Sequence, residues 1–170
     1  RYADDFVILC QSVNQAVVAM KMIKNIMKSI DLELAEDKTQ ITEYYKGFDF
    51  LGYTFRKFYG NRKWPRKKAI RAFKDKIRYT TRRQQPKNVK MIIQKLNPII
   101  RGWGHYFKYG NSRTRYQKLD SWIKARLRSF IEKKKWPSGM NWKYPNDHFR
   151  KLGLVSLTDL MAYQPQLSLL

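Results

Sequence analysis

Three apolar stripes at helical spacing run through residues 70–130 of this 170-residue chain, and each is wrapped in cations. Ile70, Phe73 and Ile77 form the first, Val89, Ile92, Ile93 and Leu96 the second, and Tyr116, Leu119, Ile123, Leu127 and Phe130 the third. Apolar residues recurring three and four apart fall on one face of a helix, and that face has to be buried. The spacing predicts helices over residues 67–80, 87–96 and 113–134 that bury their stripes together as a small bundle. Pro65 favours a helix start just after it. Asn97-Pro98 predicts a further helix at a new angle, with Asn97 as cap and Pro98 at the first position. Gly102 and Gly104 in that helix each cost about 1 kcal/mol against alanine, which marks them as sites of close packing against a helix or RNA. A short helix from Asn146 to Lys151, ending at Gly153, completes the regular part.

The charge is unevenly spread. Lys+Arg against Asp+Glu is 8 to 8 in residues 1–61, 15 to 1 in residues 62–101 and 13 to 4 in residues 102–170, so the net of +23 lies wholly beyond residue 61. A single Lys or Arg is ordinarily a solvated side chain, but self-repulsion on this scale is tolerated where the partner is a polyanion. No apolar run reaches the roughly 18–20 residues of a membrane span. Cys10 is the only cysteine, so no intrachain disulfide is possible, and a cytoplasmic setting is the default expectation. His105 has no Cys or His partner nearby, His148 lacks metal-ligand spacing from it, and His105 is expected to pack or face RNA.

The first 61 residues have a different grammar. Asp4-Asp5 precedes the run Phe6–Cys10, which predicts an interior strand with two carboxylates at its mouth. A solvated turn accounts for an arbitrary Asp-Asp pair; beside a buried strand, the pair calls for a cation, and oxygen ligands suit Mg²⁺. Ser12-Val13-Asn14-Gln15 matches a capping box, and Ala16, Met20, Ile23, Met27 and Ile30 make a helical stripe. Leu32 with Leu34, and Gln40-Ile41-Thr42, predict two short strands. Phe48–Phe55 predicts a hairpin or bend at Gly52, and a second hairpin turns at Tyr59-Gly60-Asn61.

Tyr2-Ala3-Asp4-Asp5 resembles the Y-A-D-D box of reverse transcriptases of the group II intron type, with Arg1 and Phe6-Val7-Ile8 fitting that family's local pattern. Phe50-Leu51-Gly52 is similar to the hairpin that follows the palm and contacts the primer end. Leu96-Asn97-Pro98 with Gly102-Trp103 and Tyr106-Phe107 resembles the maturase-specific domain, or domain X, that serves as the thumb. The resemblance covers residues 1 to about 157 and implies an α+β architecture: a small antiparallel palm remnant over residues 1–61, a basic three-helix thumb/maturase bundle over 62–157, and a tail over 158–170.

What the resemblance implies for function follows residue by residue. Asp4 and Asp5 are the catalytic, Mg²⁺-holding pair of the complete protein; Tyr2, Lys38, Phe50, Leu51 and Gly52 contact nucleotide or primer. Lys38 at a strand edge equally reads as a guard against edge pairing. Lys67, Lys68, Arg71, Lys74, Arg78, Arg82, Arg83, Arg101, Trp103, Arg113, Arg115 and Arg126 contact RNA, and Lys118 and Arg128 are likewise expected to be free for phosphates. The cations and aromatics from Lys133 to Tyr144 suit either unpaired bases or packing on the bundle. Expected partners are group II intron RNA and template–primer, with no membrane. The absence of an initiator Met and of the upstream catalytic Asp predicts the C-terminal part of a longer protein, inactive as a polymerase alone. A separately encoded N-terminal half, an inert remnant and a non-intron bacterial reverse transcriptase remain alternatives.

Overall fold

The computed structural model describes residues 5–35, 39–57, 59–86, 88–133 and 142–162. The chain divides into two compact units, Arg1–Asn61 and Arg62–Leu170. Arg1, Tyr2, Asp4, Lys38 and the run 134–141 lie outside the described residues, as does everything from residue 163 onward.

In the first unit, α1 spans Val13–Ser29. Its capping box forms with a shift: the Ser12 hydroxyl accepts from the Gln15 N–H (3.2 Å), while the Gln15 side chain reaches past Ser12 to accept from the Gln11 N–H (3.0 Å). Ala16, Met20, Ile23 and Met27 are half-buried, but Ile30 is exposed. Strands β1 (Phe48–Phe50) and β2 (Tyr53–Lys57) pair antiparallel with Phe50 opposite Tyr53. The two residues between them, Leu51 and Gly52, both take positive φ (46° and 78°), the conformation of a tight I′ turn whose twist matches that of the strands. Phe48 stacks on Phe55 across the pair at 5.3 Å. The chain turns again at Tyr59 and Gly60, both at positive φ, into β3 (Asn61–Pro65), which runs from the last residue of the first unit into the second; the sheet order is β1-β2-β3.

Two expectations fail here. Residues 6–10 form no strand and are exposed, with only a single bridge at Asp5. Described residues 32–35 and 39–42 are also irregular. A strand is held by cross-strand partners rather than by its own composition, and among the described residues no strand pairs with these segments.

The second unit is helical. α2 covers Lys67–Thr80, α3 Val89–Phe107, α4 Arg113–Ile131, α5 Asn146–Lys151 and α6 Leu157–Ala162. Every stripe finds its neighbours: α3 packs on α2, α4 and α6, and α4 packs on α6. Phe73, Ile77, Ile92, Ile93, Leu96, Ile100, Tyr116, Ile123, Leu127, Phe149 and Leu157 form the core. The molecule is therefore α+β, a small antiparallel sheet followed by helices.

The expected break at Asn97-Pro98 is absent. α3 runs through Pro98 without interruption. Proline removes one helical hydrogen bond and strains the turn before it, but apolar residues on both sides of it, Leu96 and Ile100, are fully buried against the same bundle and hold the axis. The cap is Asn88, whose side chain accepts from the Met91 N–H at 2.9 Å. Asn97 instead ties down the chain after α5, donating to the Gly153 carbonyl (2.8 Å) and accepting from the Val155 N–H (3.0 Å). α6, which runs from the last residue of the expected domain into the stretch 158–170 expected to be tail, packs on α3 and α4.

Candidate nucleic-acid interface

On α2, Lys67, Arg71, Lys74 and Arg78 recur at intervals of four, three and four, one face of the helix. With Ile70 and Asp75 they line a shallow groove. At 1.5 Å per residue this row is about 16 Å long, over which one strand of a B-form duplex presents about five phosphates. Its acid, Asp75, is already paired with Arg78 at 2.6 Å.

Trp122 and Arg126 of α4 touch residues at the C-terminal half of α2. Lys74 Nζ lies 5.3 Å, and the Arg78 guanidinium 5.5 Å, from the centre of the Trp122 ring. A cation over an aromatic face is attracted by the ring quadrupole, so Trp122 helps to position both groups. One turn further along α4, Arg126 donates from Nε to the Thr81 hydroxyl (3.2 Å) and from its terminal nitrogen to the Thr81 carbonyl (3.1 Å). Burial, then the nearby Arg78 and Arg83, push the Arg126 guanidinium below its ordinary value. Arg115 lies over Trp64 at 4.8 Å. Arg82 lies over Tyr79 at 4.5 Å, and Lys68, Arg101 and Arg113 are exposed.

Other residues sit elsewhere. Trp103 stacks on Phe73 (4.6 Å) and lies against Phe107 and Tyr116, inside the bundle. Arg128 is not free for phosphates: it is buried, donating to the Tyr144 carbonyl and to the Asn146 side chain, each at 2.9 Å. Gly104 fulfils the close-packing expectation, since a Cβ there would meet Leu160 at 2.6 Å and Leu157 at 3.0 Å, whereas Gly102 faces open space. In the other unit, Phe50, Leu51 and Gly52 form the strand end and turn of the β1–β2 hairpin, with Leu51 in a left-handed conformation that costs a non-glycine residue about 1–3 kcal/mol. Asp5 is exposed.

Neither Trp122 nor Asp120 stands out in the periodicity or the motifs of the sequence. Asp120 is buried on α4 and accepts from the Ser156 hydroxyl (2.7 Å), the Leu157 N–H (2.8 Å), and the N–H and hydroxyl of Thr158 (3.0 and 2.6 Å). The available signal was its rarity: an acid beside an apolar stripe in a strongly cationic segment.

Two family models match this chain. Residues 70–149 match "Group II intron, maturase-specific domain", and residues 1–55 match "Reverse transcriptase (RNA-dependent DNA polymerase)". The chain belongs to the group II intron reverse transcriptase/maturase family. No curated protein matches it significantly. The basic face of α2 and α4 lies largely within the maturase-specific match, and the Leu51-Gly52 turn within the reverse-transcriptase match. Maturase and reverse-transcriptase domains bind nucleic acid, and among the described residues no helix is long and apolar enough to cross a membrane.

Reverse transcriptases in general use divalent metal ions. The described residues of this chain do not by themselves fit one: no group of three or more His, Cys, Asp or Glu side chains is placed to hold a metal, and Asp5 stands as a single exposed carboxylate. A hard divalent cation takes six or more oxygen ligands.

Proposed function

We propose that residues 62–157 form a thumb/maturase domain that grips group II intron RNA and assists its splicing, and that residues 1–61 belong to the palm of the polymerase that copies RNA into DNA for intron mobility. The observation that supports this best is the row Lys67, Arg71, Lys74 and Arg78, backed by Trp122 and Arg126, of which all but Lys67 lie inside the maturase-specific match. Phosphate contacts made by such a row fix register and orientation along the RNA. In the complete enzyme Asp4 and Asp5 are two of the Mg²⁺ ligands, and the set is completed from outside these 170 residues. Tyr2, Lys38 and Phe50-Leu51-Gly52 are assigned to nucleotide and primer contact.

The deciding experiment compares binding of the purified chain to a structured group II intron RNA and to an unrelated RNA of equal length across a salt series. Electrostatic contacts weaken as salt rises with a logarithmic slope of about −0.7 to −0.9 per phosphate for either RNA. An advantage for intron RNA that persists at high salt supports the maturase reading; two indistinguishable RNAs overturn it. The 170 residues alone are expected to leave a primed template unextended in the presence of Mg²⁺. Measurable primer extension would sink the assignment of the remaining ligands to residues outside this chain.

A further inference from the structure

The C-terminal end of α2 holds more positive charge than the fold uses. Thr81 donates from both N–H and hydroxyl to the Ile77 carbonyl (2.9 and 2.8 Å), and the Gln85 amide donates to the carbonyls of Tyr79 (3.2 Å) and Thr80 (3.4 Å). Arg126 takes the Thr81 carbonyl. Helix C-termini favour cations, but with these carbonyls occupied the two adjacent arginines of the following loop, Arg82 and Arg83, are not explained as caps. Repulsion from Arg78 and Arg83 is felt at Arg126. Against these guanidiniums stands Asp75, itself engaged by Arg78. The excess is of the kind that an anion relieves.

Beside this cluster, on the last turn of α2, the Tyr79 ring is 65% exposed and carries the Arg82 guanidinium 4.5 Å from its centre. An aromatic face next to an anion site matches the two halves of a nucleotide, a base and its phosphate. In a duplex the base faces are covered by stacking, so only an unpaired nucleotide can use both.

We infer that the end of α2 holds one unpaired nucleotide of the RNA, its phosphate against Arg82 and Arg83 and its base on Tyr79. This rests on the reading of α2 as an RNA interface and adds what the row of cations lacks, a preference for the place where a paired segment opens.

The test uses the full chain and two RNA hairpins with the same number of nucleotides, one fully paired to its end and one with an unpaired end. The wild-type chain should bind the second more tightly. Tyr79→Leu should erase the preference by weakening that hairpin about tenfold or more, the value of one base stacked on an aromatic ring, while leaving the paired hairpin unchanged. Tyr79→Phe should keep the preference, and Arg83→Gln should reduce the salt slope for the unpaired-end hairpin by about one. Equal binding of both hairpins by wild type and Tyr79→Leu overturns the nucleotide site; if Lys74→Gln then still weakens both hairpins, the RNA interface itself survives. Failure of the wild-type chain to bind either hairpin at low salt overturns the interface and the nucleotide site together.

Discussion

At the residue scale, Asp120 shows how a buried charge becomes structural. Its two oxygens accept four hydrogen bonds from residues 156–158 and so close the N-terminus of α6 from a different helix. A carboxylate at a helix N-terminus meets both the unsatisfied N–H groups and the positive end of the dipole. Asp120→Ala removes the cap and strands buried donors, so the chain should lose about 2–4 kcal/mol of stability in urea unfolding. The two glycines of α3 should respond with opposite signs. Gly102→Ala, into open space, should stabilise by up to about 1 kcal/mol through helix propensity. Gly104→Ala should destabilise by about 1 kcal/mol or more, because its Cβ meets two leucines on α6. Thermal melts of the pair read the difference directly. The glycines look alike in sequence; what faces each of them depends on α6, more than fifty residues further along the chain.

At the element scale, α2 follows its own pattern, Lys67 to Thr80, because its apolar stripe and its cationic row are both local periodicities. The row predicts its own assay: Lys74→Gln should weaken binding of all RNAs by a similar factor and lower the salt slope by about one. A sequence-selective loss would instead mean that Lys74 reads bases. α3 is the counterexample. Asn97-Pro98 carries a local signal for a helix start, yet burial of Leu96 and Ile100 on either side carries the helix through it. Propensity terms of a few kcal/mol at most yield to two fully buried aliphatic side chains, each worth about 1.5–3 kcal/mol. For the same reason residues 6–10 fail to form a strand, since an apolar run has no strand geometry of its own until a neighbour pairs with it.

At the scale of the whole molecule, a net charge of +23 concentrated after residue 61 means that folding works against repulsion that an RNA partner would relieve. Added salt should therefore raise the melting temperature of the free chain over the same range in which it lowers RNA affinity. A melting temperature that fell or stayed constant would contradict this account of the charge. Sequence alone was sufficient for the family, for the three stripes and their cationic wrapping, and for the Leu51-Gly52 turn, because each is written in residues close together in the chain. Tertiary structure decided which cations are spent inside the fold, as Arg128 is on Tyr144 and Asn146, and which lie on the surface, as Lys67 and Arg71 do. It also brought Trp122 under Lys74 and Arg78 and set Asp120 at the head of α6. The physical reason is the same throughout: hydrophobic period and turn chemistry act over a few residues, whereas burial and the pairing of charges depend on whichever part of the chain folds back to meet them.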